Sequence, residues 1–257
     1  MALPAPFSDY RRSRAARNTV RKLKQLRTHT SPAGYTLRSF DRQRCIFVHI
    51  PKCAGVSVCR SLFGNYGAGH HPISVFQEVF EPTLFDSYFK FAFVRNPWDR
   101  LLSAYRFLRR GGFNDIDRRW ARQHLSPYRE FGEFVRDWVT ADNIGSWIHF
   151  RPQVDFLSLA NGKSGVDFVG RYEQLDADFR RVCERLGVQN RLLHLNSTGH
   201  SGEEDYRTAY DTETRAIVAE VYGRDIAALG YAFGDGGAVP AACAPSQEHG
   251  KQHDAKD

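Results

Sequence analysis

The sequence predicts an α/β fold, a mainly parallel central sheet flanked by helices in a single domain, and three observations support this. First, apolar runs of strand length at residues 45–50, 91–94, 166–169 and 192–195 alternate with helical periodicity at 55–63, 97–110, 130–140, 174–187 and 211–229. Such alternation is the pattern of parallel strands joined by crossover helices. Second, two of the strands run into a helix start through a turn that carries a cation, Lys52 in one and Arg95 in the other. Ligands of such sheets sit beyond the carboxyl ends of the strands. Third, 257 residues with 42% apolar and 25% charged content suit one domain with a sizeable core.

Taken in order, residues 1–40 read as a basic arm, 41–233 as the folded domain and 234–257 as a tail. Residues 1–30 hold eight Lys or Arg against Asp9 alone, which accounts for the whole net charge of +7. A solvated, partly ordered arm is the plain reading. Val20, Leu23 and Leu26 also allow a short basic helix docked on the domain, or a peripheral membrane contact through residues 11–27. An Arg-rich, acid-poor start is also compatible with an organelle transit peptide. No apolar run reaches the roughly 18 residues that span a bilayer.

The strand at 45–50 enters the turn Pro51-Lys52-Cys53-Ala54-Gly55, and the next helix follows. The helix at 97 opens with Asn96 as N-cap and Pro97 in its first turn. Residues 106–129 hold seven arginines against Asp115 and Asp117, with a break at Gly111-Gly112; they read as an insertion of short helices beside the site. The helix at 174–187 stops at Gly187. Residues 196–210 are polar and glycine-bearing, suited to a lid. The tail is rich in Gly, Ala and Pro, then polar, a composition of disorder.

The chemistry lies in the two strand-to-helix turns. Unpaired N–H groups and the helix dipole make a helix start an anion site. Two such sites suggest a ligand with two separate phosphate-like groups. The first loop is not a Walker A motif, because its lysine precedes the glycine. The five cysteines are odd in number and match no zinc spacing, so they read as reduced thiols in a cytoplasm-like compartment. Cys53 reads as a loop-filling residue with a catalytic thiol as the alternative. No carboxylate or histidine cluster invites a metal.

HIPKCAGVSV, followed about forty residues later by FAFVRNPWDRLLSAY, resembles the sulfotransferase superfamily. It looks most like the carbohydrate-type, sulfotransferase family 2-like branch, whose bacterial members carry a His-Ile-Pro-Lys-x-x-Gly-x-Ser loop. VDFVGRYEQL and YRTAY are similar to that branch too, so the resemblance runs from about Cys45 to Phe233. Cys53 and Val56 depart from residues common there; Lys52, Gly55 and Ser57 do not.

The resemblance implies a P-loop NTPase-like sheet and the donor 3′-phosphoadenosine 5′-phosphosulfate, with 3′,5′-bisphosphoadenosine as product and no metal. By resemblance, Pro51, Lys52, Cys53, Ala54, Gly55, Val56, Ser57 and Val58 wrap the 5′-phosphosulfate, with Lys52 at the bridging oxygen and Ser57 on the phosphate. Arg95 and Ser103 match the ligands of the 3′-phosphate. Pairing of Arg95 with Asp99, and simple packing of Ser103, are the plain alternatives. Arg171, Tyr206 and Arg207 are further nucleotide contacts, and Trp98 and Tyr105 read as core.

Sulfuryl transfer needs in-line positioning, cationic stabilisation and a base for the attacking hydroxyl. Lys52 is the expected leaving-group stabiliser. Of His70 and His71, the expectation falls on His71 as base, with Glu78 and Glu81 as weaker alternatives and His49 structural. Arg109, Arg110, Arg151 and Gln153 are expected to line the cleft for a hydroxyl acceptor, a glycan. The competing readings are a P-loop-type nucleotide-binding kinase and a non-catalytic nucleotide or nucleic-acid binder.

Overall fold

In the computed structural model, residues 14–195 and 205–234 are described. The chain runs α1 (Arg14–Leu26), α2 (Arg38–Gln43), β1 (Cys45–Val48), α3 (Gly55–Phe63), α4 (Ile73–Val79), α5 (Pro82–Ser87), β2 (Phe89–Val94) and α6 (Pro97–Arg109). It continues through α7 (Asp115–His124), α8 (Phe131–Trp138), α9 (Ala141–Ile144), α10 (Val154–Leu157), β3 (Phe168–Arg171), α11 (Leu175–Leu186), α12 (Thr212–Val221) and α13 (Gly223–Leu229).

The sheet is fully parallel in the order β1-β2-β3. Phe47 stands opposite Phe91, and Phe91 opposite Phe168. All of β1 is buried, as in a sheet covered on both faces. Close packing at β3 requires Gly170, where a Cβ would fall 2.6 Å from the Phe93 ring. A second core gathers Trp98, Trp120, Phe134 and Trp138 from the helices after β2, and Phe150 from the turn before α10.

Two expectations are corrected. The apolar run at 192–195 is not a strand. It lies along α3, where the Leu193 N–H donates to Ser61 Oγ (2.7 Å) and the Leu195 N–H to Ser57 Oγ (3.1 Å). Side-chain hydroxyls thus take the amides that a sheet neighbour would have bonded. The helix expected over 211–229 is two, broken at Tyr222, whose hydroxyl donates to the buried Phe150 carbonyl (2.7 Å).

Part of the basic segment is packed. In α1, Ala16 and Leu23 are buried, and Val20 and Leu26 join the main core. Arg27 locks the end of α1, donating to both carboxylate oxygens of Asp41 (3.0 Å each) and to Glu81 (2.8 Å). The apolar stripe therefore faces the domain, and the cations Arg14, Arg21, Lys22 and Lys24 remain exposed. The stripe is thus not available for insertion into a membrane surface. Among the described residues no helix is long and apolar enough to cross a membrane.

Candidate functional site

The loop between β1 and α3 adopts the left-handed region at Lys52 (φ 68°) and Ala54 (φ 56°). Each costs on the order of 1–2 kcal/mol for a residue with a Cβ. Neighbouring contacts hold the loop in place: the Cys53 thiol lies 3.4 Å from Gln153 Oε1 and 3.6 Å from the Pro51 carbonyl. Burial pushes that thiol up to about 12, so Cys53 fills the loop and is not a thiolate nucleophile.

At the start of α3 the N–H groups of Gly55, Val56 and Ser57 have no acceptor within the helix. The Val58 N–H already donates to Ala54 O (3.1 Å), so the expected cradle of residues 51–58 ends at Ser57. Gly55 is required by a close approach: a Cβ there would lie 1.8 Å from His49 Cδ2. The His49 ring rests on the helix start, a contact that no local pattern announces. The Ser57 hydroxyl is buried and bonded to the Leu195 backbone, donating to its carbonyl at 3.0 Å.

Lys52 is half-buried, with Nζ 4.0 Å from the centre of the Phe107 ring. Burial, then the charges of Arg95 and Arg110, lower its pKa to about 8. Arg95 lies beside it and donates from Nη1 to the Lys52 carbonyl (3.3 Å). The two cationic turns therefore meet at the carboxyl ends of the adjacent strands β1 and β2. The pairing of Arg95 with Asp99 is present and bidentate (2.6 and 2.8 Å), and the guanidinium covers Tyr172 at 4.0 Å. Among the described residues, three of its five N–H groups are used in these bonds, which leaves two for a ligand. Ser103 stands half-buried on α6, two turns further on.

Gln153 corrects an expectation. It is fully buried and touches no cleft. Its side chain closes a two-bond ring with the Arg95 backbone, accepting from N (2.9 Å) and donating to O (2.9 Å). Asp225 on α13 in turn accepts from the Gln153 and Val154 N–H groups (2.8 and 3.0 Å). Gln153 thereby fixes both cationic turns to each other. Glu173 acts similarly from the segment after β3, accepting from the Asn96 N–H (2.6 Å) at the start of α6.

Arg171 also departs from expectation. Its guanidinium donates to the Leu229 carbonyl (2.6 Å) over the Tyr231 ring, a tie between β3 and α13. Arg109 is spent on the carbonyls of Leu125 and Tyr128 (3.2 and 3.3 Å). Arg110 is exposed, and its charge reaches Lys52. Arg151 is half-buried, its carbonyl held by the buried Arg100 (2.7 Å). Tyr206 accepts from the Gly234 N–H (3.0 Å), and Arg207 pairs with Asp205; both lie in a short turn packed on α6. The rest of the expected lid, 196–204, lies outside the described residues, as do Cys243 and the tail from 235. Trp98 and Tyr105 are core, as expected.

The two candidate bases part company. His70 Nδ1 lies 2.9 Å from the His49 carbonyl. A carbonyl only accepts, so Nδ1 carries the proton and Nε2 the lone pair. The His70 ring packs 4.2 Å from His49 and 6.0 Å from His149. The His71 ring instead faces Phe76. The geometry thus favours His70 over His71. Burial lowers both to about 4, so each is neutral at pH 7. Glu81, held by Arg27, lies in the α1 contact. His149, unforeseen in sequence, packs on Phe107 (5.0 Å), and its Nε2 meets Asp117 at 3.2 Å.

A three-stranded parallel sheet flanked by helices, with a lysine turn after β1 and an arginine after β2, is a P-loop-like α/β fold. A family model described as "Sulfotransferase family" matches residues 35–232, and the chain belongs to that family. It is 30% identical over 125 residues to an uncharacterized protein of Archaeoglobus fulgidus, covering 48% of this chain and 87% of that one. Carbohydrate sulfotransferase 14 of Mus musculus and of Homo sapiens are each 29% identical over 170 residues, 56% of this chain. The chain spans 44% of the length of those two relatives. No solved structure matches.

Proposed function

We propose that this protein moves a sulfuryl group from 3′-phosphoadenosine 5′-phosphosulfate to a carbohydrate hydroxyl. The observation that carries the reading is the meeting of the two turns, with Arg95 Nη1 3.3 Å from the Lys52 carbonyl. One nucleotide bearing phosphates at its 5′ and 3′ positions fits that pair of anion sites. The donor, when bound, supplies the activated sulfuryl group. The N–H groups of Gly55, Val56 and Ser57 hold its 5′-phosphosulfate. Arg95, oriented by Asp99 and Tyr172, holds the 3′-phosphate with its two remaining N–H groups, aided by Ser103.

Lys52 sits beside the leaving oxygen and balances the charge that develops there. His70 Nε2 accepts the acceptor's hydroxyl proton, and its low basicity rises as the donor's negative charge enters the site. Arg110 is placed to meet an anionic sugar. The similarity to carbohydrate sulfotransferase 14 supports a carbohydrate acceptor. The free Cys45, Cys53, Cys59 and Cys183 support a reducing compartment.

The test is transfer of labelled sulfate from the donor to a broad glycan panel. Transfer in the wild type, lost by 100-fold or more in Lys52→Ala, is the expected result, of the size general for removal of a transition-state cation, on the order of 10²–10³. Binding of Mg²⁺–ATP in preference to 3′,5′-bisphosphoadenosine, with no transfer to any acceptor, would point to a kinase.

A further inference from the structure

Asp117 and His149 lie beyond the residues so far given a role, yet both are buried against the site. Asp117 is 5% exposed in the first turn of α7, and His149 is 7% exposed just before α10. Gly112 makes the approach, since a Cβ there would fall 2.2 Å from Asp117 Cβ. The carboxylate accepts from the Phe113 N–H (2.9 Å) and from His149 Nε2 (3.2 Å). His149 Nε2 therefore carries a proton toward the carboxylate.

Nδ1 of His149 is buried with no hydrogen-bond partner among the described residues, and so is Nδ1 of His49. Buried, unpaired ring nitrogens are costly. Two of them in one cluster, flanking a third imidazole, point to a task other than packing.

We propose that Asp117 and His149 are positioning residues for His70: the Asp117–His149 pair fixes the imidazole cluster and supplies the negative charge that balances the imidazolium formed on His70. The inference rests on the sulfotransferase reading and deepens it. In the step concerned, the acceptor O–H bond breaks and its proton joins His70 Nε2. The freed oxygen pair forms the new S–O bond. The old S–O bond breaks, and its electron pair stays on the phosphate of 3′,5′-bisphosphoadenosine. A positive charge thus appears on a ring 6.0 Å from His149.

The charged and titratable groups around His70 are His49, Lys52, His71 and His149. Lys52 in turn faces Arg95, Cys53, Arg110 and Asp117. Within this set Asp117 is the carboxylate. Burial opposes its ionisation, but the hydrogen bonds from His149 and Phe113 hold it below the usual range, so it is charged at working pH.

The test follows the His70 ring resonances through a pH titration of the full chain, with and without 3′,5′-bisphosphoadenosine. Asp117→Asn is expected to lower the His70 midpoint by about half a unit or more. Arg119→Gln, which removes an exposed cation from the same helix, does not lower it. His149→Gln, which keeps a donor toward Asp117, holds the midpoint near wild type, whereas His149→Ala lowers it. With labelled donor, Asp117→Asn lowers kcat about tenfold or more, leaves the donor KM within about threefold, and moves the acid limb of the pH profile to lower pH. An unmoved His70 midpoint in Asp117→Asn, or equal behaviour of the two His149 variants, overturns the proposal. Failure of the wild type to bind the bisphosphonucleotide overturns the sulfotransferase reading instead, and the titration of the free protein still decides the role of Asp117 and His149.

Discussion

At the scale of single residues, the site is governed by what the first turn of α3 touches. Gly55 is needed because the His49 ring occupies the space of a side chain. Gly55→Ala is expected to destabilise the fold by about 1–3 kcal/mol, the usual range for overpacking, read as a lower denaturant midpoint with unchanged slope. Lys52, lowered to about 8 by burial and by Arg95 and Arg110, regains its proton when an anion arrives. Binding of 3′,5′-bisphosphoadenosine at pH 8.5 is therefore expected to take up protons, seen as a binding enthalpy that varies with the ionisation enthalpy of the buffer. Equal enthalpies in all buffers would contradict this. The sequence made Lys52, Gly55 and Arg95 legible because each stands at a strand end in a short motif. It hid His149 and Asp117, which lie 97 and 65 positions beyond Lys52 and meet the site only through the fold. Gln153 was visible but misread: nothing local distinguishes a cleft-lining glutamine from one buried against Arg95.

At the scale of elements, the two cationic turns are held by side chains from elsewhere in the chain. Gln153 bonds the Arg95 backbone, Asp225 bonds the Gln153 backbone, and Glu173 bonds the first N–H of the Asn96 cap. Gln153→Leu leaves the buried N–H and C=O of Arg95 without partners, which costs about 1–3 kcal/mol for each. Its expected signature is a loss of bisphosphonucleotide affinity together with stability, with Lys52 and Arg95 still in place. An affinity equal to wild type would show that the turns hold their geometry unaided. Helix existence was legible from caps and periodicity, as at Asn96-Pro97. The strand at 192–195 was misjudged because an apolar run does not reveal that Ser57 and Ser61 will capture its amides. The break at Tyr222 was missed because helical periodicity resumes on its far side.

At the scale of the whole molecule, α1 is part of the packed body, so its loss is a stability defect before it is a binding defect. Leu23, 2% exposed in the core, is expected to cost about 2–5 kcal/mol on truncation to Ala. The site also sets the acid limit. His70 and His71 have folded pKa values near 4 against 6.5 for the free side chain. Between those values the unfolded chain binds more protons than the folded one, so stability falls as pH drops from about 6.5 toward 4. His49, lowered by burial, acts in the same direction over this window, whereas Asp117, held below the usual carboxylate range by its hydrogen bonds, adds its loss only at still lower pH. Thermal midpoints measured from pH 7 to 4.5 check this, and His71→Asn should flatten the decline. The parallel sheet and its helices were legible from alternation alone, and the +7 charge was traceable to the N-terminal segment. By charge alone that segment reads as a solvated arm, and its packing on the core is a correction, since a stripe of Val20, Leu23 and Leu26 reads the same against a domain or a membrane.

The central claim is that one nucleotide bridges the Lys52 turn and Arg95, and a binding cycle tests it most directly. The account predicts that 3′,5′-bisphosphoadenosine binds the wild type at least about tenfold more tightly than 5′-AMP, the 1.4 kcal/mol of a modest charge-assisted contact. It predicts that this difference vanishes in Arg95→Ala and survives in Ser57→Ala. A preference unchanged by loss of Arg95, or equal affinity for the two nucleotides in the wild type, would contradict it.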